Sequence, residues 1–215
     1  MLLKLEKLIA KYNMKITGVI QAGAHWGEEV DDYIKNGITY GHLFEPDKEN
    51  FQIMKKAVVA KEKEYGIKYP QGFGFIDVAL GSSVTVSVYY KEKKNHGQSN
   101  SLLMPKVHTE YYPDITFDET EKVLVFPIDY FDFKSGKHNF LVLDVQGYEL
   151  EVLKGATETL KHIDYIYTEV NREELYENCA MVEDLDNYLT DFRRVETKWK
   201  RKGFGDALYI ANRLL

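Results

Sequence analysis

Short apolar runs alternate with segments of helical period along most of the chain, and this alternation narrows the accessible folds more than any other feature. "ITGVIQAG" (16–23), "YGHLFEP" (40–46), "FLVLDVQG" (140–147) and "IDYIYTEVN" (163–171) are too short for buried helices and favour β-branched or aromatic residues, so they read as strands. "GFGFIDVALG" (72–81) reads as a third strand in chain order. Between and after them lie segments with one apolar face. These are 28–37 (Val30, Tyr33, Ile34), 48–66 (Phe51, Met54, Val58), 148–160 (Leu150, Leu153, Leu160) and 182–192 (Val182, Leu185, Leu189, Phe192). Strands alternating with helices imply a mostly parallel sheet wound on both faces. The closing runs "RRVETKWK" and "DALYIAN", joined through "RKGFG", predict an antiparallel pair.

Two segments fall outside that rhythm. "MLLKLEKLIAKYN" is apolar at Leu2, Leu5 and Ile9 with lysines between, which predicts an amphipathic helix over 1–14 that caps the domain. "TVSVYYKEK" (85–93) alternates in polarity and opens an insert at about 82–128, read as a hairpin arm plus loop. Its central part, 94–122, is rich in Asn, Ser, His, Gly, Pro and Tyr and is expected to form a substrate lid. No boundary divides the chain, so a single domain over 1–215 is expected.

Composition removes several classes. The formal net charge is -6, which argues against a partner held through a phosphate backbone, so no nucleic acid is expected. The one cysteine, Cys179, is too few for a disulfide or a thiolate zinc site and reads as a packing residue. No run approaches the roughly 18 apolar residues of a membrane span, and the start does not fit a signal peptide. A cytoplasmic location is expected. "KWKRK" (198–202) reads as a solvated hairpin face.

The chemistry-bearing residues lie where strands end. In a doubly wound sheet, ligands bind beyond the carboxyl ends of the strands, where the strand order reverses. "VIQAGAHWGEE" places Gly23 and Gly27 at the first strand-to-helix turn, where the backbone must approach a ligand closely. The two glycines are four apart and His25 stands between them, so the dinucleotide pattern is not met and an NAD-dependent dehydrogenase is disfavoured. Glu45 ends the second strand, where a carboxylate accepts hydrogen bonds from ribose hydroxyls; Pro46 stops that strand. Glycine turn and acid together point to an adenosine-bearing cofactor without a pyrophosphate, for which S-adenosylmethionine is the natural candidate. Asp144 ends a strand apolar on both faces, where a carboxylate costs desolvation unless partnered.

The blocks "QAGAHWGEE", "FEPDKENF", "VALG", "LDVQGYELEVLKGA", "TEVNREELY" and "GDALYI" occur in the order found in FkbM-type methyltransferases, which the chain resembles over roughly 16–212. The resemblance implies a Rossmann-like, seven-stranded, mostly parallel sheet and class I S-adenosylmethionine-dependent methyl transfer to a hydroxyl of a sugar, a glycan or a sugar-bearing small molecule. Gly23, Ala24 and Gly27 would line the methionine end of the cofactor and Glu45 would bind the ribose, with His25 and Pro46 beside them. Asp77, Val78 and Ala79 would lie near the adenine, and Asp144 at the reacting centre. One departure stands out: Gln21 occupies a position where the family usually has Asp, so the cofactor's amino group would lose a charge partner.

A hydroxyl acceptor needs a general base, for which Asp144, Glu169, His96 and His25 are candidates. Glu169 ends the strand expected beside that of Asp144, and His96 lies in the mobile-looking "NHGQSNS". The two carboxylates could hold a divalent cation, but no third protein ligand is evident, so none is expected there. Trp26 and Tyr148 are candidates for stacking on a sugar face, and Glu149 reads equally as site carboxylate or helix-start charge. Acceptors of another class, and a non-catalytic module that only binds the cofactor, are the competing readings.

Overall fold

A computed structural model describes residues 1–68, 70–133, 136–200 and 203–215. Its main sheet has seven strands in the order β3-β2-β1-β7-β8-β10-β9. These are β1 (Val19–Ala22), β2 (Tyr40–Phe44), β3 (Gly72–Ile76), β7 (Phe140–Leu143), β8 (Tyr165–Asn171), β9 (Phe192–Trp199) and β10 (Phe204–Ala211). The first five run parallel to their neighbours, while β10 is antiparallel to both β8 and β9. The order reverses between β1 and β7, which sets the ligand crevice at their carboxyl ends.

The central strands are continuous apolar runs because both faces are covered: β1, β7 and β8 are buried at every position. Ile20, Leu141, Leu143 and Ile166 pack on one face against Val152, Leu153 and Leu185 of α5 (Glu149–Lys154) and α6 (Val182–Tyr188). Val19, Val142, Tyr167 and Leu208 face the other way, onto α1 (Leu5–Tyr12), α2 (Val30–Lys35) and α3 (Lys48–Glu64) through Leu8, Tyr33 and Met54. The capping helix thus forms as its apolar spacing predicts, and ends at Asn13 in the left-handed conformation, φ 48°.

Three elements differ from the sequence reading. The run 72–81 is divided: β3 joins the main sheet, whereas β4 (Ala79–Leu80) pairs with β6 (Glu119–Phe126) in a second sheet of order β4-β6-β5, with β5 spanning Thr85–Lys91. The segment 94–122 contains a short helix, α4 (Val107–Tyr111), and the start of β6. The helix expected over 148–160 stops after Lys154, and at its end Gly155 passes so close to Gly81 that an added Cβ would lie 2.0 Å from the Gly81 carbonyl oxygen. A separate 3-10 turn, Thr159–His162, follows. Cys179 is buried beside Leu175 and Tyr176, consistent with packing. Arg201 and Lys202 of the basic run lie outside the described residues.

At the opposite end of the strands, His42 Nδ1 lies 2.9 Å from His138 Nε2, enclosed by Tyr40 and Phe133. Burial pushes both imidazoles down, His138 to about 4, with the His42 charge adding to the effect. The fold therefore favours neutral His138, and its contribution is present above the ordinary pKa of 6.5 and is lost as pH falls from there to about 4. Urea denaturation across that window should show His138→Gln losing less stability on acidification than the wild type; parallel losses would contradict the assignment.

Candidate active site at the sheet switch point

A cavity of about 480 Å³ lies over the carboxyl ends of β1, β2, β7 and β8, a size suited to a small-molecule cofactor. Its near wall is the turn after β1. Gly23 (φ 73°) and Ala24 both donate backbone N–H groups to the Phe44 carbonyl, at 3.1 and 3.0 Å. A Cβ at Gly23 would lie 1.9 Å from the Asp144 carbonyl oxygen, so only glycine lets β1 and β7 stay paired up to this point. Gly27 (φ 76°) is similarly held, since a Cβ there would meet Val58 at 2.7 Å.

Glu45 organises this turn. Its buried carboxylate accepts the His25 N–H at 2.8 Å and the Asp47 N–H at 2.9 Å. Burial pushes its pKa up to about 7, against the pull of those two donors. Asp47 in turn caps α3 by accepting from Glu49 and Asn50, and pairs with Lys91 of β5 at 2.6 Å, which ties the insert to the cavity wall. Pro46, Val78, Ala79, Leu80 and Tyr148 also line the cavity. Asp77 is exposed and is not among the lining residues, so it does not share the surface of Val78 and Ala79. Ala24 is fully buried and supports the turn from behind.

The histidines settle differently from their expected roles. His25 (φ 45°) lines the cavity, with Nδ1 2.7 Å from Glu28 and Nε2 2.9 Å from the His96 carbonyl. Burial lowers its pKa, but the Glu28 carboxylate and the His96 carbonyl outweigh this and raise it. Both ring nitrogens face acceptor oxygens, so His25 links the turn after β1 to the insert loop. His96 itself is exposed, its ring tilted against Trp26 at 5.1 Å and outside the cavity lining. The structure therefore brings the backbone of His96 to the site and turns its imidazole away. Trp26 donates its indole N–H to Asn50 at 2.8 Å and stacks on His25, so it packs the turn; it does not line the cavity.

The floor is a row of carboxylates. Asp144 and Glu169 both line the cavity, and Gln146 Nε2 reaches both, at 2.6 and 3.4 Å. Gln146 adopts φ 53°, and Tyr176, through its hydroxyl 3.1 Å from Gln146 Oε1, holds the amide in place. The Asp144 side chain opens to solvent through the cavity; partial desolvation at the strand ends still pushes it up to about 6, with Asp206 and Glu29 adding their charges. Burial also raises Glu169 well above its ordinary value, reinforced by Asp144 and Glu149. Glu149 is structural: its Oε1 accepts the Val145 and Gly147 N–H groups at 3.1 and 3.2 Å.

Several residues of the site were missed by sequence reasoning. Asp206 sits opposite Glu169 in the β10–β8 register and accepts from the Tyr167 hydroxyl. Its block, "GDALYI", was visible, but the cross-strand register was not. Glu29, Gln146 and Tyr176 were also missed. Gln21 lies beneath the floor, hydrogen-bonded to Tyr33 and Glu29.

A doubly wound sheet with a glycine turn after β1, a buried acid ending β2 and a carboxylate ending β7 places the chain in the Rossmann-like fold class. The chain belongs to the methyltransferase FkbM domain family, whose pattern it matches over residues 21–204. It is 31% identical over 119 residues to the 2-O-methyltransferase NoeI of Sinorhizobium fredii (strain NBRC 101917 / NGR234), an alignment covering 54% of this chain and 49% of that protein. The chain thus spans about half the length of that curated relative. Among solved structures it resembles the methyltransferase FkbM of Methylobacillus flagellatus KT, with a TM-score of 0.59, 16% identity, and coverage of 90% of this chain and 43% of the other. It also resembles Streptococcus pneumoniae Sp1610, described as a putative tRNA (m1A22) methyltransferase in complex with S-adenosyl-L-methionine. There the TM-score is 0.52 and the identity 11%, covering 98% of this chain and 73% of that one. Among the described residues, no helix is long and apolar enough to cross a membrane.

The coupling of the floor carboxylates is measurable. Asp144→Asn removes a like charge beside Glu169, which favours the ionised form, so the Glu169 titration seen by carbon-13 NMR should move down while burial still holds it above the ordinary value. An unmoved Glu169 titration would refute the coupling.

Proposed function

We propose that the protein is an S-adenosylmethionine-dependent O-methyltransferase that acts on a hydroxyl of a sugar, a glycan or a sugar-bearing small molecule. The observation that carries this reading is the Asp144–Gln146–Glu169 arrangement in the lining of the cavity. The residues fit the cofactor: the Gly23 turn permits close backbone approach, and Glu45 is a buried acid suited to ribose hydroxyls. When bound, the cofactor supplies an electrophilic methyl group on a sulfonium.

The rest falls to this chain. Asp144, at about 6, is mostly ionised near neutral pH yet basic enough to take a proton. Glu169, pushed well above its ordinary value by burial and by the neighbouring carboxylates, faces the same space. Asp144 would take up the proton of the acceptor hydroxyl. Gln146 holds the two carboxyl groups in register, and the apolar surfaces of Tyr112, Leu175 and Phe204 exclude water around the acceptor. The insert, through 94–122, builds the acceptor side of the cavity within a single domain. The name of the NoeI relative supports oxygen as the acceptor atom.

Methyl transfer from labelled S-adenosylmethionine to a panel of free and linked sugars tests this reading. Asp144→Asn should lower kcat by about 10²–10⁴-fold with little change in S-adenosylhomocysteine affinity, the size expected for a lost general base. Transfer to nitrogen, or turnover that survives Asp144→Asn, would contradict it.

A further inference from the structure

Gln21 is buried and is not among the residues lining the main cavity, and each end of its amide has a partner. The Tyr33 hydroxyl donates to Oε1 at 2.9 Å, and Nε2 donates to Glu29 Oε2 at 3.1 Å. The orientation is fixed by chemistry: a carboxylate only accepts, so the NH₂ must face Glu29. Tyr33 lies at the far end of this chain, in α2 and fully buried, where it retains its proton. Tyr33 therefore orients Gln21, and Gln21 orients Glu29.

Glu29 is the group that reaches the cavity. Its side chain keeps 20% of its exposure and lines the cavity together with Gly23 and Asp144. Its other oxygen, Oε1, lies 3.7 Å from the Met1 nitrogen; a carboxylate oxygen at this place can accept a charge-assisted hydrogen bond from an ammonium. A charge-assisted contact to a carboxylate is roughly twice as strong as a neutral hydrogen bond, whereas an amide at position 21 offers only the neutral kind.

We infer that Glu29, oriented by Gln21 and Tyr33, recognises the amino group at the amino-acid end of the cofactor. The inference rests on the cofactor reading above and goes further in naming the residue that supplies the charge absent at position 21. Glu29 is the binding group; Gln21 and Tyr33 are positioning residues.

Calorimetric titration with S-adenosylhomocysteine and with its deaminated analogue separates this role from a structural one. The analogue keeps the nucleoside, the thioether and the carboxylate. Glu29→Gln should weaken S-adenosylhomocysteine by about ten-fold or more, as loss of a charged hydrogen bond predicts, and leave the analogue within about two-fold. Gln21→Leu should show the same selectivity to a smaller degree. Unchanged S-adenosylhomocysteine affinity in Glu29→Gln, or equal loss of both ligands, overturns the proposal. Should Glu29→Gln fail to fold, Glu29→Asp, which retracts the carboxylate by one methylene, must show the selective loss. A folded wild type that binds neither ligand overturns the cofactor reading, and this inference with it.

Discussion

At Gly23 the backbone of β1 runs so close to the Asp144 carbonyl that no side chain fits between them. The strands stay paired to their last residues, and then each chain turns away through left-handed backbone, at Gly23 and His25 on one side and at Gln146 and Gly147 on the other. The crevice opens at this divergence. Everything chemical in the site is placed by it: Glu45 reaches the first turn through the His25 N–H, and Gln146 bridges the carboxylates from the second.

The same geometry concentrates negative charge in poor solvation. Glu45, Glu149 and Glu169 are pushed upward chiefly by burial, and Asp144, open to the cavity, by partial desolvation and the charges of Asp206 and Glu29. The sign has a consequence for stability. A carboxyl whose folded pKa is raised holds its proton more tightly when folded, so for Glu45 the fold loses stability as pH rises from 4.5 to about 7. Near neutral pH the protein thus carries partly ionised acids that a ligand donating hydrogen bonds would relieve. Such strain is characteristic of sites built for function rather than for stability.

Much of this was legible in the sequence because strand ends announce themselves. Glu45 and Asp144 are acids terminating apolar runs, and Gly23 breaks a run where a helix is about to start. The division of 72–81 was not read from the sequence, because Asp77 alone interrupts the apolar run of "GFGFIDVALG" and the pairing of Ala79 and Leu80 with β6 is what shows the break there. α4 was hidden because five residues are too few to display a period. His96 misled because a loop histidine can present either face, and here the carbonyl, not the ring, meets His25. Glu29 was lost among the acidic residues of 28–32, where nothing local distinguishes it from a solvated helix charge. Its role appears only when Gln21 is seen spending its amide on it.

The central claim is that the crevice between β1 and β7 is a nucleoside-cofactor site organised by Glu45. The most direct measurement is calorimetric titration of S-adenosylmethionine into wild type and Glu45→Ala, with NAD as the control. The account predicts saturable binding to the wild type, loss of that binding in Glu45→Ala, and no binding of NAD. A folded wild type that ignores S-adenosylmethionine, or a Glu45→Ala variant that binds it equally well, would contradict the account.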